Sequence, residues 1–509
     1  MAIHQKVPDI EEEMDMKIED FPKDIREYLI PEPVGDLYFR CLGCGREFSI
    51  DKLLYVCPEC KSVLMLEDRN FKSLKKRGGK FWKRLFDLRK MLNYTPIKGI
   101  FRYYEFIAPI IPLEHIIYLG EGHTPLVEAN ERLRKAAGRR FYFKLDGLNP
   151  SASFKDRGMA CALSYINYYV KERGINKILT ICASTGDTSA SAALYASYLE
   201  DFARSAVILP HGRVTPQQLS QPLSSGAKVI EIPGVFDDCM RVVERLSERY
   251  PVALLNSKNS WRILGQESFS YEVSQDLDYE MDKKVVVLPI GNAGNITAVI
   301  RGFIKFFKAG VICTLPKIIG VQSEHADPVF RYYRKGEKNR RFVPVKVRPS
   351  VAQAAMIGNP VSMPRVIELV EEYNGLSDKE NFFVVQVKEQ EIMDSMLIAN
   401  RNGNIVCTQG GESLAGFIKA IELGLIDRDE EGILDSTAHM LKFIGFQEMY
   451  FNDSFPEEFN IKAKEELINT PILVRPKSYM DKEKVSDSDQ YNRFIDSICE
   501  QIANLLDLK

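Results

Sequence analysis

The chain has 509 residues, 45% hydrophobic and 27% charged, with a formal net charge of −2. That length supports more than one domain, because single cores stop growing near roughly 250 to 300 residues, and the near-neutral balance gives no overall reason to expect nucleic acid as a partner. No apolar run approaches the roughly 20 residues that span a bilayer, and the acidic opening stretch lacks the basic and apolar regions of a secretory signal.

Residues 1–35 are acidic and proline-containing and read as a lead-in or strap. Within 36–66, Cys41, Cys44, Cys57 and Cys60 form two C-x2-C pairs twelve residues apart, with Gly45 after the first pair and Pro58 inside the second. Each pair can present two thiolates from one tight turn, and four sulfurs suit a closed, tetrahedral, structural zinc site. Rubredoxin-like iron fits the same spacing, and four free thiols are the plain alternative. The other six cysteines are scattered through expected core elements, which suits reduced thiols and a cytoplasmic protein. Residues 72–92 place Phe81, Trp82, Leu85, Phe86 and Leu92 on helical spacing, predicting an amphipathic helix with a solvated basic face. A ribbon followed by such a helix could instead serve an anion-sensing or nucleic-acid-binding protein on the same scaffold.

From about Tyr118 onward, apolar runs of strand length recur at 177–183, 205–210, 227–232, 252–257, 285–290, 317–322 and 382–387, separated by helical patterns. Continuous apolar strands joined by helices imply parallel sheets covered on both faces. The expected fold class is α/β: two open twisted parallel-sheet domains with a cleft between them, plus a small N-terminal ribbon built on the four cysteines. The larger domain takes 67–155 and 258–445, the smaller one 156–257, and 446–509 forms a helical extension.

Four segments could carry chemistry. Lys155 lies in NPSASFKDRG (149–158), between an expected strand at 141–146 and an expected helix at 160–174. Side chains of open α/β folds reach into a site at such a junction, although a lysine there is ordinarily a solvated charge. The segment 183–191 holds Ser184, Thr185, Asp187 and Thr188 at a helix start, where hydroxyls and N–H groups can take a carboxylate or merely cap the helix. The loop of Gly291, Asn292, Ala293, Gly294 and Asn295 is neither a dinucleotide fingerprint nor a P-loop. It is a phosphate cradle for a smaller ligand or a plain tight turn. The segment 255–268 clusters Asn256, Ser257, Asn259 and Arg262, a set shaped for bidentate phosphate binding. Two anion pockets with a lysine between them suggest a phosphorylated cofactor held as a Schiff base, and a second anionic substrate.

In order and spacing, GEGHTPL (120–126), SFKDRG, ASTGDTSAS, NSKNSWR, PIGNAGN and STAHMLKF (436–443) resemble the threonine synthases, pyridoxal-phosphate enzymes sharing the tryptophan synthase β-subunit fold. The resemblance spans about residues 37–445 and implies pyridoxal phosphate in the cleft, anchored covalently on Lys155 with its phosphate on the 291–295 loop and its ring nitrogen facing Thr437. Asp187 would lie near the cofactor 3′-oxygen, where many relatives carry asparagine; an aspartate there needs a proton or a compensating donor. Ser184, Thr185 and Thr188 would grip the substrate carboxylate, and Asn256, Ser257, Asn259 and Arg262 its phosphate. The implied reaction converts O-phosphohomoserine and water to threonine and phosphate in a homodimer, with Lys155 as the proton shuttle. A cysteate synthase, which replaces the phosphate of O-phosphoserine by sulfite, asks for the same two anion pockets and is the nearest alternative.

Overall fold

A computed structural model describes residues 17–184, 186–199, 202–211, 216–234, 236–475 and 488–508. Its strands are β1 (Leu37–Cys41), β2 (Glu47–Ser49), β3 (Leu64–Asp68), β4 (Leu126–Glu128), β5 (Phe141–Lys144), β6 (Ile178–Ala183) and β7 (Ala203–Pro210). They continue with β8 (Lys228–Ile232), β9 (Val252–Leu254), β10 (Lys284–Pro289), β11 (Lys317–Ser323), β12 (Phe382–Val387) and β13 (Glu431–Asp435). Three sheets result, in the orders β2-β1-β3, β12-β11-β10-β13-β5-β4 and β8-β7-β6-β9. The first is antiparallel; the other two are parallel except where β4 closes the edge of the largest sheet. The alternation of apolar strands and helices is therefore expressed as a two-sheet α/β protein carrying a small β-ribbon.

Burial follows strand position. Central β10 is VVVLP after Lys284 and buries all five of those side chains, whereas edge strand β8 buries none of its own. A strand covered by helices on both faces needs apolar residues at every position, and an edge strand does not.

The expected single helix at 72–92 is two helices, α1 (Phe71–Arg77) and α2 (Gly79–Arg89), broken at Gly78, whose φ of 77° is left-handed. Its basic face is also only partly solvated. Arg89 is buried, pairs with Glu105 at 2.6 Å and donates to the carbonyls of Tyr28 (2.8 Å) and Leu29 (3.0 Å). The apolar face joins a ring cluster in which Phe86 and Tyr271 both stack on Phe306, at 5.8 and 4.2 Å between centroids. Burying an aromatic side chain stabilises a fold by roughly 1.5–3 kcal/mol, so this cluster alone anchors α2 firmly to the large-sheet domain.

Five further helices carry or adjoin the candidate loops: α3 (Lys155–Glu172), α4 (Asp187–Ser197), α5 (Ser260–Gln266), α6 (Gly294–Lys308) and α7 (Met363–Gly375). Helices α3 and α5 cross at Gly158 and Gly265. A Cβ on Gly265 would lie 2.2 Å from the Arg157 carbonyl oxygen, and one on Gly158 would lie 2.8 Å from that of Arg262. Only glycine permits that approach, and it brings the first turns of α3 and α5 side by side. After Phe451 the chain is largely irregular to residue 475, with Tyr450 buried and bonded to Asp394 at 2.7 Å; a final helix, α8 (Ser488–Leu505), follows.

Candidate active site

Lys155 is the first residue of α3, which starts five residues earlier than the apolar pattern suggests. The turn before it is laced to the segment leaving β13. Ser436 N donates to Lys144 O (2.9 Å), Gly147 N to Ser436 O (3.1 Å) and Phe154 N to Thr437 O (2.9 Å). Those bonds hold buried Thr437 beside the residue preceding Lys155. Within the turn, Ala152 adopts a left-handed φ of 62°, and the Asp156 carboxylate accepts from Ser151 N, Ser151 Oγ (both 2.6 Å) and Ser191 Oγ. The last of these bonds ties α4 to the lysine turn. An alanine held at positive φ is strain that the surrounding bonds must overcome.

In the same sheet, β10 runs into α6 through Gly291–Asn295, with Ala293 at φ 60° as the residue before the helix. Asn295 Nδ2 donates to Asp435 Oδ2 at 2.8 Å, which joins this loop to the end of β13. The first N–H groups of a helix have no intrahelical acceptor and carry partial positive charge, so the start of this 15-residue helix is able to take an anion. Burial, then the charge of Asp146, push the Asp435 carboxyl well above the usual range.

Arg262 in α5 is buried and donates to Leu255 O at 2.9 Å, while its Nε has no partner. No carboxylate among the described residues pairs with it. Burial lowers it to about 10; burial, and then the positive charge of Arg262, lower Lys155 to about 7. The neighbouring amides are already committed. Asn256 bonds both the N–H (3.0 Å) and the carbonyl (2.7 Å) of Ala183, and Asn259 bonds Trp261 N and Leu254 O, both at 2.9 Å. These two side chains shape the loop and leave Arg262, Ser257 and backbone N–H groups to meet a ligand. The loop is held from outside by Arg365, buried and reached neither by composition nor by motif, which donates to Ser257 O (3.0 Å), Lys258 O (3.1 Å) and the ribbon's Leu64 O (2.6 Å).

At the start of α4, Ser184 Oγ accepts from Gly186 N at 3.3 Å and Thr188 is half-buried. Thr185 lies outside the described residues. Asp187 is buried with Lys442 Nζ 3.1 Å from its Oδ1, and Lys442 also donates to Ser151 O at 2.8 Å. Sequence reasoning singles out neither Lys442 nor Asp435, although both flank Thr437; Lys442 stands inside the STAHMLKF motif itself.

The four cysteines of the ribbon converge as well: the sulfurs of Cys41, Cys44, Cys57 and Cys60 all lie within 4.8 Å of one another. Despite burial, N–H donors from Cys44 (3.4 Å) and Gly43 (3.3 Å) help bring the Cys41 thiol down to about 7. Convergent thiols with one biased toward thiolate are the donor set of a tetrahedral soft-metal site.

The family profile described as pyridoxal-phosphate dependent enzyme matches residues 117–434. The threonine synthase of Methanocaldococcus jannaschii is 34% identical over 79% of this chain and 92% of its own. Threonine synthase 2 (chloroplastic) of Arabidopsis thaliana is 32% identical over 87% of this chain and 83% of its own. The crystal structure of threonine synthase from Escherichia coli superposes with a TM-score of 0.60 at 18% identity, covering 83% of this chain and 94% of that one, a likeness of fold.

Proposed function

We propose that this chain, which belongs to the pyridoxal-phosphate dependent enzymes and within them to the threonine synthases, is a lyase that converts O-phosphohomoserine and water to threonine and phosphate. The residues present fit the cofactor. Lys155 offers a lysine amine of lowered basicity, and the start of α6 offers unpaired N–H groups. Buried Ser153 Oγ and Ser436 Oγ have no hydrogen-bond partner, an arrangement that costs about 1–3 kcal/mol per group unless a ligand fills it. Lys155 would hold the cofactor covalently, Gly291, Asn292, Ala293, Gly294 and Asn295 its phosphate, Thr437 its ring nitrogen and Asp187 the neighbourhood of its 3′-oxygen.

When bound, pyridoxal phosphate supplies the electron sink that lets protons leave carbon. The chain's own residues do the rest. Lys155 Nζ, brought to about 7 by burial and by Arg262, can hold or release a proton near neutrality and moves it at the α and then the β carbon of the substrate. Ser184 and Thr188 orient the substrate carboxylate. Ser257 and Arg262, on a loop shaped by Asn256 and Asn259, bind the phosphate and stabilise the charge it carries away.

The observation that carries this reading is Arg262: a buried guanidinium with an unpartnered Nε and, among the described residues, no carboxylate paired with it. Such a charge is costly unless an anion completes it, and a substrate that brings its own phosphate does so. Incubating the pyridoxal-phosphate-loaded protein with O-phosphohomoserine should yield threonine and phosphate. No threonine there, or cysteate from O-phosphoserine and sulfite in a parallel tube, would overturn it.

We further propose that Cys41, Cys44, Cys57 and Cys60 hold one structural zinc, supported by their convergence, and that the protein works as a homodimer in the cytoplasm. All ten cysteines are free thiols, which suits a reducing compartment. Among the described residues no helix is long and apolar enough to cross a membrane. Metal analysis of the purified protein and sedimentation of the holoenzyme test these two statements.

A further inference from the structure

A lone carboxylate is a poor neighbour for the cofactor's phenolic oxygen. That oxygen carries negative charge in its ionised form, and two negative charges at hydrogen-bond distance in a water-poor site repel strongly. An asparagine would present an N–H donor; Asp187 offers none when ionised. The compensation stands in the structure. Lys442 comes from the turn Met440–Phe443, just beyond Thr437, and places its ammonium 3.1 Å from Asp187 Oδ1. The same ammonium donates to Ser151 O (2.8 Å), four residues before Lys155. The Lys442 and Asp187 side chains are 13% and 4% exposed, so neither is an ordinary surface charge. One of the three ammonium protons is spent on Ser151. The contact to Asp187 is an ion pair off the line of a hydrogen bond, so Oδ1 keeps its lone pairs open.

We propose that Lys442 is a positioning residue for the cofactor: paired with Asp187, it makes the surroundings of the phenolic oxygen net neutral and restores the donor that the aspartate lacks, while tethering the lysine turn through Ser151. The proposal rests on the placement of Asp187 beside that oxygen. It assigns a function to a lysine contributed by a segment remote in sequence from both groups it touches.

The experiment is a double-mutant cycle on pyridoxal-phosphate binding, read as dissociation constant and as the visible absorption of the bound cofactor. Lys442→Met should weaken binding about tenfold or more and shift the absorption maximum, because it leaves the Asp187 charge facing the phenolic oxygen. Asp187→Asn sets the reference for the cycle, and Asp187→Asn/Lys442→Met should match it in both affinity and spectrum. Wild-type affinity and spectrum in Lys442→Met overturn the proposal, as does failure of Asp187→Asn to rescue it. Should Lys442→Met not fold, Asp187→Asn decides against its double variant: removal of Lys442 must be nearly silent once Asp187 is neutral, and a tenfold loss there overturns the proposal. A wild-type protein that binds no pyridoxal phosphate would instead refute the cofactor reading beneath it.

Discussion

Two clusters of buried charge lie within one turn of each other at the start of α3, and they are built on opposite principles. Around Arg157 every charge is answered. The guanidinium pairs with Asp146 (2.7 Å) and Glu272 (2.6 Å) and donates to Ser268 Oγ and Thr124 Oγ1, while Lys144 adds contacts to Glu272 (3.2 Å) and Asp276 (2.8 Å). Against burial, the charges of Arg157 and Lys144 hold the Glu272 carboxyl well below the usual range. Around Lys155 the balance is left short: Arg262 pairs with no carboxylate among the described residues and its Nε has no partner, and Lys155 has lost basicity. The first cluster stabilises the folded chain as it stands. The second needs a ligand to complete it, which is the pattern expected where binding or chemistry occurs.

The largest effect that could break this contrast comes from Lys155→Ala. It should reduce turnover to background and abolish the visible absorption of the bound cofactor while circular dichroism of the apo protein stays unchanged; a surviving absorption band would remove Lys155 from the mechanism. The same substitution tests the energetics. Between about 7 and 10.5 an unfolded lysine holds a proton that folded Lys155 has released, so the native state gains stability as pH rises through that window. The penalty is full below the lower value and gone above the upper one. Apo Lys155→Met should therefore melt higher than wild type near pH 6, with the gap closing as pH approaches 10; a gap that widens with pH contradicts the lowered basicity of Lys155.

Next in size, Arg157→Met should destabilise the protein by roughly 3–5 kcal/mol, because it leaves Asp146 and Glu272 buried and unpaired. Thermal or urea unfolding reads this directly. Arg262→Gln should do the reverse: a melting temperature at or above wild type, and a loss of about 10²-fold in kcat/KM, since a charge-assisted phosphate contact is removed. If Arg262→Gln unfolded the protein and Arg157→Met spared it, the two clusters would have to exchange roles.

The smallest effect is expected far from the cleft. Cys41→Ser with Cys44→Ser should abolish zinc binding and loosen the ribbon. Because buried Arg365 bonds both Leu64 O and the Ser257–Lys258 carbonyls, the change should reach the phosphate loop as a several-fold rise in KM with kcat nearly preserved. An unchanged zinc content in that variant would dispose of the metal.

Much of this was legible in the sequence because it is written in local patterns. Runs such as VVVLPI carry a fully buried strand in their composition, the C-x2-C pairs carry their turns, and loops placed after apolar runs fall at strand ends in the fold. Even the family resemblance rests on short motifs whose order survives. What local pattern does not carry is which polar group is already spent. Asn256 and Asn259 read as free amide donors, yet their hydrogen bonds close onto Ala183, Trp261 and Leu254. Asp187 reads as an aspartate in want of compensation, and the charge paired with it is Lys442, from the far end of the folded core. Arg262 reads as one more arginine until its surroundings are found to lack a counter-charge. The sequence by itself determined the layers, the loops at the strand ends and the lysine at the junction, since periodicity and turn chemistry act over a few residues. Only the tertiary structure decided which charges are answered and which are left open, because a hydrogen bond or an ion pair is settled by neighbours in space.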